Sequence, residues 1–426
     1  MSVYRSLASR LRNWQRDESG NLIITAAILL PVVVGGVGAA ITYSNANASR
    51  TSLQSALDAA VLSGAIALGN GGDAVTAATN VFNNNVNSHA KQTTNQITAS
   101  FAVSGEIVTG HASGGAVNPF AGIIGSSTIP LTVNAAATQL AMTICVLGLN
   151  NSAKGSFDIN GKPQFNAANC AVQANTTSTT GMTQEGNAKV VAGKFAVSGG
   201  HDTNGYVPPP SDNAPSVADP YASLPFPSYD SCSNGGNGTQ IKDDTTLSPG
   251  TYCGGIHIYS TAHVTMQPGI YIMNGGPFWV DGSAVVSGDR VMIGFTGKGA
   301  TLQIWGDCSV TLTSPTSGTY INMQFMQDNS SSDTHSLWAS VGGSQGAGKD
   351  DGTGSAKLSF DGTAYFPTQN FWMFGNVTVN ANSPSLAIVA DKVWTQGNAT
   401  VNITNNNTRN LNVSAPKTGF GARLIN

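Results

Sequence analysis

Charged side chains are scarce in this sequence, where they make up 10% of 426 residues. An ordinary soluble domain contains about 25%, so the solubility of this chain rests on neutral polar residues such as Asn, Ser and Thr. The formal net charge of -3 provides no basic surface that would attract a polyanion. We therefore expect no nucleic-acid partner.

Residues typical of catalytic and metal sites are also thinly spread. The six histidines do not gather with further ligands in the sequence, whereas a zinc site needs three or four convergent side chains. The acidic pairs Asp243-Asp244 and Asp350-Asp351 lie among turn residues, where Asp commonly bonds to its own backbone. No Cys-x-x-Cys spacing occurs, which disfavours a redox or zinc motif. We predict a protein that is not an enzyme, with no catalytic residue, no cofactor and no metal.

Charge is missing altogether from Ser19 to Ser49. Within this stretch the twenty residues from Leu22 to Ile41 have one polar side chain, Thr25, and a helix of that length crosses a hydrocarbon core of about 30 Å. Four arginines precede the segment, at positions 5, 10, 12 and 16, and only Arg50 follows within about twenty residues. Because basic flanks stay on the cytoplasmic side, the pattern predicts a cytoplasmic N-terminus and an external C-terminal part.

A cleaved secretory signal peptide is the alternative, since it too combines basic residues, an apolar run and small residues. The apolar run here is longer than the usual stretch of about 7 to 15 residues, and it contains Pro31. Beyond the run, apolar residues recur at three- and four-residue steps from Leu53 to Leu68. This periodicity predicts one long helix that continues outside the membrane.

Several short motifs follow one another along this helix. They are the entry Arg16-Asp17-Glu18-Ser19-Gly20-Asn21-Leu22, the pair Leu30-Pro31, the stretch from Gly35 to Tyr43, and the exit Leu53-Gln54-Ser55-Ala56-Leu57-Asp58-Ala59-Ala60. Together they resemble the N-terminal domain of the TadE/TadG-like proteins of Flp (tight adherence) pilus assembly, over about residues 14 to 68. The resemblance implies a bacterial inner-membrane protein that builds or anchors a surface pilus. Its implied partners are other Tad/Flp pilus-assembly proteins and the lipid bilayer.

The rest of the chain has the two-residue alternation and the frequent turn residues of β-structure. Leu247-Ser248-Pro249-Gly250 is echoed nineteen residues later by Met266-Gln267-Pro268-Gly269, and Gly288 follows at the same offset. Each Pro-Gly pair suits a type II turn with the glycine at positive φ. Strands that recur at this spacing predict the rungs of a right-handed parallel β-helix. An antiparallel sandwich is the alternative.

These patterns define the predicted rung strands and the predicted segments of a mostly β protein. The strands are His257–Tyr259, Ile270–Met273, Phe278–Val280, Val291–Phe295, Leu302–Trp305, Val310–Leu312, Leu358–Phe366, Phe371–Val379, Leu386–Val393 and Thr400–Ile403. The segments are a cytoplasmic basic leader (1–20), a transmembrane helix with its periplasmic extension (21–70), a small α+β connecting region (71–140) and a β-helix-like domain (141–426) with a Pro-rich excursion (207–227).

All five cysteines follow the apolar run, and an oxidising periplasm would permit disulfides there. The most economical pairing joins Cys145 to Cys170 and Cys232 to Cys253, and it leaves Cys308 free. Sequence alone leaves this connectivity open.

Three functions fit the sequence. The first, which we predict, is a non-catalytic structural component of Flp pilus assembly, anchored in the inner membrane with its C-terminal domain in the periplasm. The second is an anchored β-helix that binds cell-envelope polysaccharide or acts in adhesion, which a row of tryptophans outside the rungs would favour. The third is a β-helix enzyme acting on carbohydrate, which would need carboxylates converging in a groove. We expect neither arrangement, because the acids lie in turns and a tryptophan in a β-rich chain is usually core.

Overall fold

The computed structural model describes residues 21–69, 72–89, 94–121, 127–202, 205–232, 236–335, 337–342, 354–383, 386–405 and 417–425. They form two compact units, one of residues up to Leu140 together with those from Gly421 onward, and one of Ala141–Phe420. The long helix and the α+β region, predicted as separate segments, thus belong to one unit, which also takes in residues from Gly421 that we assigned to the β-helix. The predicted basic leader lies outside the described residues.

The first unit contains two helices and an antiparallel sheet. Its elements are α1 (Asn21–Gly69), α2 (Ala74–His89), β1 (Thr94–Ser104), β2 (Ile107–Val117), the first part of β3 (Thr128–Gly148) and the last part of β27 (Lys417–Ile425).

Helix α1 is continuous over 49 residues with Pro31 inside it, which confirms that the helix extends beyond the apolar run. Its first half exposes apolar side chains, namely Ile28, Leu29, Leu30, Val32, Val33, Val34, Val37 and Ile41. Its second half buries them, namely Leu53, Ala56, Leu57, Ala60, Val61 and Ala65. The apolar side chains of the first half therefore face outward from the protein, whereas those of the second half pack in a protein core.

That core lies between the helices and the sheet. Strand β1 pairs antiparallel with β2, and β2 pairs antiparallel with β3. Leu53 and Leu57 of α1 pack with Phe82 of α2 and with Ala112 and Val133 of the sheet.

Helix α2 begins directly after Asp73. The Asp73 Oδ1 accepts hydrogen bonds from the backbone N–H groups of Val75 (3.0 Å) and Thr76 (3.1 Å), so two otherwise unpaired donors of the first turn are satisfied. The Thr76 side-chain and backbone hydrogen bonds hold the pKa of Asp73 below its usual value.

The second unit is built almost entirely from short strands and includes a 3-10 helix (Ser332–Thr334). Besides the remaining parts of β3 and β27, the strands are β4 (Phe157–Gly161), β5 (Gln164–Ala174), β6 (Met182–Gly186), β7 (Lys189–Val197), β8 (Tyr206–Val207), β9 (Thr239–Ile241), β10 (Thr245–Leu247), β11 (Gly250–Cys253), β12 (Ile256–Ile258), β13 (His263–Met266), β14 (Gly269–Asn274), β15 (Phe278–Val280), β16 (Val285–Gly288), β17 (Val291–Thr296), β18 (Leu302–Trp305), β19 (Ser309–Thr313), β20 (Met323–Gln327), β21 (Trp338–Gly342), β22 (Lys357–Asp361), β23 (Thr363–Gly375), β24 (Thr378–Ser383), β25 (Ile388–Gly397) and β26 (Thr400–Asn405).

The strands of this unit stack into three parallel sheets, which we call faces. Face 1 contains β9, β12, β15, β18, β21, the second parts of β23 and β25, β4 and β6. Face 2 contains β10, β13, β16, β19, β22, β24, β26, β8 and the first parts of β5 and β7. Face 3 contains β11, β14, β17, β20, the first parts of β23 and β25, and the last parts of β3, β5 and β7.

A chain that visits three faces in turn and pairs each strand with the next rung is a parallel β-helix. Among the described residues, every strand pair within this unit is parallel, so the predicted β-helix is confirmed and the antiparallel sandwich is excluded. The right-handed sense stays a prediction from the general handedness of parallel crossovers.

The predicted rung strands overlap the observed ones, and Phe278–Val280 and Leu302–Trp305 have the same bounds in the structure. Leu358–Phe366 and Phe371–Val379 each run across a corner into the next strand. These corners are one or two residues long, so the alternating pattern continues across them without a visible break.

The nineteen-residue repeat is a real rung offset, because Leu247 pairs with Met266. It does not extend further: Gly288 pairs with Met266 rather than with Gly269, so the predicted third repeat was wrong. The next rung is longer by three residues, since 288 minus 266 is 22 rather than 19.

The two Pro-Gly turns also differ from the predicted type. Gly250 and Gly269 have φ values of 153° and 145°, more extended than the roughly +80° of a type II turn. A Cβ on Gly269 would lie 2.7 Å from the Pro249 Cβ. Glycine is required here because the proline of one rung stacks on the glycine of the next.

The rungs do not stack in chain order. Strand β4 lies between β25 and β6, and β5 lies between β26 and β7. The coil formed by β9 to β26 is thus followed in space by the coil formed by the end of β3 to β8, although the latter comes first in the sequence.

The Pro-rich segment connects the two ends of this stack. It leaves β8 at one end and enters β9 at the other, and its central part, Pro215–Phe226, which we call the strap, packs along face 3. Along the strap, the contacts move from the last rungs of the stack back toward the first. Val217 is hydrogen-bonded to Asn175 after β5, Tyr221 packs on Tyr365 of β23, and Phe226 packs on Gly294 of β17. The predicted excursion therefore lies on the surface of the β-helix and packs against face 3, where Tyr221 is buried.

Candidate functional site

The exposed first half of α1 is the most distinctive surface of the described chain. Among the described residues, one helix is long and apolar enough to cross a membrane, over Ala26–Gly69. The exposed first half of α1 is part of this helix. Tyr43 lies two residues after the apolar run and is 76% exposed. Tyrosine is enriched where a helix leaves the hydrocarbon core, so this surface fits a membrane anchor.

The exit motif of α1 has one buried and one open side. Leu53, Ala56, Leu57 and Ala60 are buried in the core of the first unit. Gln54 and Asp58 lie one turn apart on the other side, where Gln54 Nε2 donates to Asp58 Oδ1 at 2.7 Å and to the Asn134 carbonyl at 3.0 Å. The motif therefore joins α1 to β3 as well as filling the core.

Gln54 and Asp58 line an open cavity of about 640 Å³ within the first unit. Asn134, whose Oδ1 lies 2.7 Å from His111 Nδ1, lines the same cavity, and so does Leu424 near the end of β27. Amide, imidazole and carboxylate groups at the mouth of an open cavity are suited to hydrogen bonding with another protein chain. The sequence singled out Gln54 and Asp58 as motif residues but gave no sign that His111 and Asn134 would join them, because these come from separate strands.

The exit motif lies within the segment that a comparison with known protein families matches. Residues 20–67 match a family model, Tad, described as "Putative Flp pilus-assembly TadE/G-like". The predicted resemblance is confirmed. The Tad-like segment is α1 almost from end to end, and the match supports an association with Flp/Tad pilus assembly. No curated protein matches the chain, and no solved structure matches it.

The predicted disulfide cysteines lie outside the Tad-like segment. In the structure Cys145 is joined to Cys170 and Cys232 to Cys253, with Cα atoms 5.7 Å and 5.4 Å apart. The first bond links β3 to β5 in the interior of the β-helix, and the second ties the chain after the strap to β11. Cys308 is free and buried, and burial raises the pKa of its thiol to about 12.

A column of aromatic rings lies on the outer side of face 1. His257 stacks on Trp279 at 3.7 Å between ring centroids, and the column continues through Trp305, Trp338, Trp372, Phe374 and Trp394. Our expectation that the tryptophans would not form an external row was wrong. Parallel register places Trp279 over His257 and Trp394 over Trp372. The other rings reach one another diagonally, since Trp279 pairs in register with Gln303 and Trp338 with Asn370.

Much of this aromatic column is nevertheless covered. Trp305, Trp372 and Phe374 are buried, whereas Trp279, Trp338 and Trp394 are half-buried. The indole N–H groups of Trp279, Trp372 and Trp394 are buried without a hydrogen-bond partner, although a buried indole usually has one. The column therefore offers aromatic surface only at its three half-buried rings, and the unpartnered indole N–H groups lie beneath that surface.

The remaining titratable groups give no metal site in the part of the chain that the structure describes. Among the described residues, no group of three His, Cys, Asp or Glu side chains is placed to hold a metal ion. Asp244 accepts a hydrogen bond at 2.8 Å from the backbone N–H of His263, nineteen residues later in the chain. It therefore joins two successive rungs and does not bond to its own turn as predicted. The acidic pair at 350–351 lies outside the described residues.

Asp328, Ser330 and Ser332 have the Asp-x-Ser-x-Ser spacing that opens the metal site of von Willebrand type A domains. Here the Asp328 carboxylate already accepts hydrogen bonds from the Thr296 hydroxyl (2.7 Å) and the Ser330 hydroxyl (2.6 Å). The spacing therefore forms a local cap on the loop after β20.

Two further spacings begin at Gly342, the last residue of β21, and at the residue after it. Residues 343–353 lie outside the described residues. Residues 342–346 read Gly-x-Ser-x-Gly, and residues 343–349 read Gly-x-x-x-x-Gly-Lys. The first acts as a nucleophile elbow at a strand-to-helix turn of an α/β-hydrolase sheet, whereas β21 belongs to a β-helix. The second is followed by Asp350 instead of the Ser or Thr of a phosphate-binding loop.

Proposed function

We propose that this protein is a non-catalytic structural component of Flp/Tad pilus assembly, anchored in the inner membrane with a periplasmic β-helix. The observation that carries the proposal is the division of α1. Its Tad-like segment is one helix that exposes apolar side chains in its first half and forms the core of the first unit in its second half. Such a helix couples a membrane anchor rigidly to the domain that follows it.

Charge and cysteine chemistry support the proposed orientation. Four arginines precede the apolar run and Arg50 alone follows it closely, which favours a cytoplasmic N-terminus. Both disulfides belong to residues after the run, and such bonds persist in oxidising compartments.

A docking role fits the open cavity at Gln54 and Asp58 better than a chemical one. Its lining has one carboxylate, that of Asp58, which already accepts a hydrogen bond from Gln54. We propose that another pilus-assembly protein binds there.

Deletion of the protein in its native host, with pili counted by electron microscopy, tests the proposal. We expect pili to be lost and to return with the wild-type chain. Val33→Asp places a charge on the exposed apolar half of α1, which is costly in lipid, and we expect it to restore neither membrane retention nor pili. Asn45→Asp, beyond the apolar run, is the matched control and should restore both. Unchanged pili in the deletion strain would refute the proposal.

Orientation is tested separately on intact spheroplasts. With protease added outside, we expect the β-helix to be digested while an N-terminal tag stays protected. Protection of the β-helix would overturn the proposed periplasmic location.

The aromatic column favours one second candidate, an anchored β-helix that binds polysaccharide. Half-buried Trp338 offers its ring beside Trp372 and Trp394, and the faces of aromatic rings are suited to stacking on sugars. If this candidate is right, the full chain in detergent binds envelope polysaccharide, Trp338→Ala weakens that binding, and Tyr229→Ala on an exposed tyrosine does not. Equal binding by both variants would exclude the column as the site.

A further inference from the structure

A groove of about 370 Å³ lies in the first unit between α1 and the start of β3. Its apolar lining includes Ala39 of α1 together with Ile129 and Leu131 of β3. Its polar lining includes Tyr43 and Arg50, both of α1. The groove is therefore apolar at the end near the exposed half of α1 and cationic at the other.

The position of this groove along α1 follows from helix geometry. If Leu22–Ile41 fills a hydrocarbon core of about 30 Å, Ala39 lies just inside its edge and Tyr43 about 3 Å beyond it. The Cα of Arg50 lies about 13 Å beyond that edge. Helical side chains lean toward the N-terminus, so the guanidinium reaches back toward the headgroup layer, which extends about 5 to 8 Å from the core.

Arg50 is the only charged residue between Glu18 and Asp58. Within the part of the chain that the structure describes, none of the ion pairs involves it. A guanidinium binds phosphate through two parallel hydrogen bonds, and Tyr43 stands at the depth where tyrosine meets lipid headgroups. The charge of Arg50 and the depth of Tyr43 in the membrane therefore both favour a phospholipid headgroup as the ligand.

We infer that this groove binds a phospholipid of the outer leaflet. Arg50 holds the headgroup phosphate, Tyr43 lies beside the glycerol region, and an acyl chain follows Ala39 into the hydrocarbon core past Ile129. The bound lipid would fix the depth of the first unit at the membrane surface. This inference rests on the membrane anchor of the proposed function.

The test uses the full chain in detergent, with phosphatidylglycerol or phosphatidylcholine added and bound lipid measured by native mass spectrometry. We expect retention of phosphatidylglycerol to fall about tenfold in Arg50→Gln, because a charge-assisted contact is lost. It should fall less in Arg50→Lys, which keeps the charge but loses the two parallel hydrogen bonds. Ile129→Trp fills the apolar end of the groove without altering charge, and we expect it to weaken binding of both lipids. Equal retention by wild type, Arg50→Gln and Ile129→Trp would overturn the inference.

Two further experiments distinguish an incorrect lipid assignment from an incorrect membrane anchor. Inorganic phosphate should not displace the lipid, and displacement by phosphate alone would identify a free-anion site and overturn the lipid assignment. Wild type and Arg50→Gln should both float with phospholipid vesicles, because the apolar half of α1 is intact in each. Failure of both to float would refute the anchor itself, whereas flotation with equal lipid retention would refute only the groove.

Discussion

At the scale of single residues, Asp158 is the clearest electrostatic feature of the β-helix. It alternates on β4 with the buried Phe157 and Ile159, and therefore lies on the outer side of face 1. Burial raises the pKa of Asp158, and the nearby carboxylates of Glu185 and Asp202 add to the rise. The three acids gather because the last rungs stack, not because they are close in sequence.

The pKa shift of Asp158 predicts a pH dependence of stability. The folded state holds a proton that the unfolded chain, with a pKa near 3.8, has already released, so the free energy of unfolding falls as pH rises through that window. In Asp158→Asn this contribution is absent. We expect the stability of wild type relative to Asp158→Asn to decrease as pH rises from 3.8 to the folded pKa, and to be constant above it.

Thermal unfolding of both proteins across this pH range measures the effect. Asp230→Asn, at an exposed position, is the control and should follow wild type. Parallel stability curves for wild type and Asp158→Asn would contradict the prediction.

The interior disulfide gives a second prediction at this scale. Cys145 and Cys170 are separated by 25 residues, and closing a loop of that size stabilises by about 3 kcal/mol in the chain-entropy model. We expect the double variant Cys145→Ala/Cys170→Ala to lose roughly this much unfolding free energy, as measured by urea unfolding. The Cys308→Ala variant serves as a comparison, because it removes a buried thiol without opening a loop. A double variant as stable as wild type would show that the bond does not constrain the unfolded chain.

At the scale of elements, the strap is held by specific contacts. Asn175 accepts the Val217 N–H at 2.9 Å and donates to its carbonyl at 2.7 Å. Asp219 accepts the Tyr365 hydroxyl at 2.8 Å, and Tyr221 lies 5.4 Å from the Tyr365 ring. A Pro-rich segment has little conformational entropy to lose, which makes it suitable as a packed connection.

Tyr221→Ala tests the energetic role of the strap. Tyr221 is 6% exposed, and its truncation should leave a cavity over face 3 and cost about 3 kcal/mol of unfolding free energy. Urea unfolding of the full chain measures the loss. Tyr229→Ala is the matched control, because Tyr229 is 46% exposed and should change stability little. Equal effects of the two substitutions would mean that the strap does not stabilise the β-helix.

At the scale of the whole molecule, the permuted stacking of the second unit has a direct consequence. Strand β26 pairs with β5, although the two are far apart in sequence. The rung surface left by β26 is thus covered by an earlier part of the same chain, and an exposed sheet end is avoided there. Between neighbouring rungs, Asn402 donates to the Asn380 side chain at 3.0 Å, which extends the stack through polar side chains as well.

An engineered pair of cysteines tests the contact between β26 and β5. Asn166 and Asn402 are register partners, and neighbouring strands lie about 4.8 Å apart, within disulfide reach. In a Cys308→Ala background, we expect Asn166→Cys/Asn402→Cys to cross-link on mild oxidation and to migrate as a closed loop on a non-reducing gel.

The control pair is Asn166→Cys/Asn380→Cys. Asn380 is the partner of Asn402 on the opposite side, so this pair spans two rungs, about 10 Å, and should stay reduced. Cross-linking of the control but not of the first pair would contradict the permuted order.

The sequence by itself determined the features that depend on neighbouring residues. The absence of charge from Ser19 to Ser49 and the helical period from Leu53 to Leu68 specified α1. The short motifs along it predicted the resemblance that the family model matches at residues 20–67. Alternation of apolar and polar residues specified the rung strands, because a strand buries every second side chain.

Only the tertiary structure decided which of these elements meet. The permuted order of rungs, the strap on face 3, the aromatic column and the cavity at Gln54 all join residues from separate strands or helices. Alternation with a period of two residues determines which side of a strand faces inward. It does not identify the partner strand, because every rung strand has the same alternation. The pairing of rungs joins residues far apart in the sequence, such as Asn166 and Asn402, and therefore has no local signature.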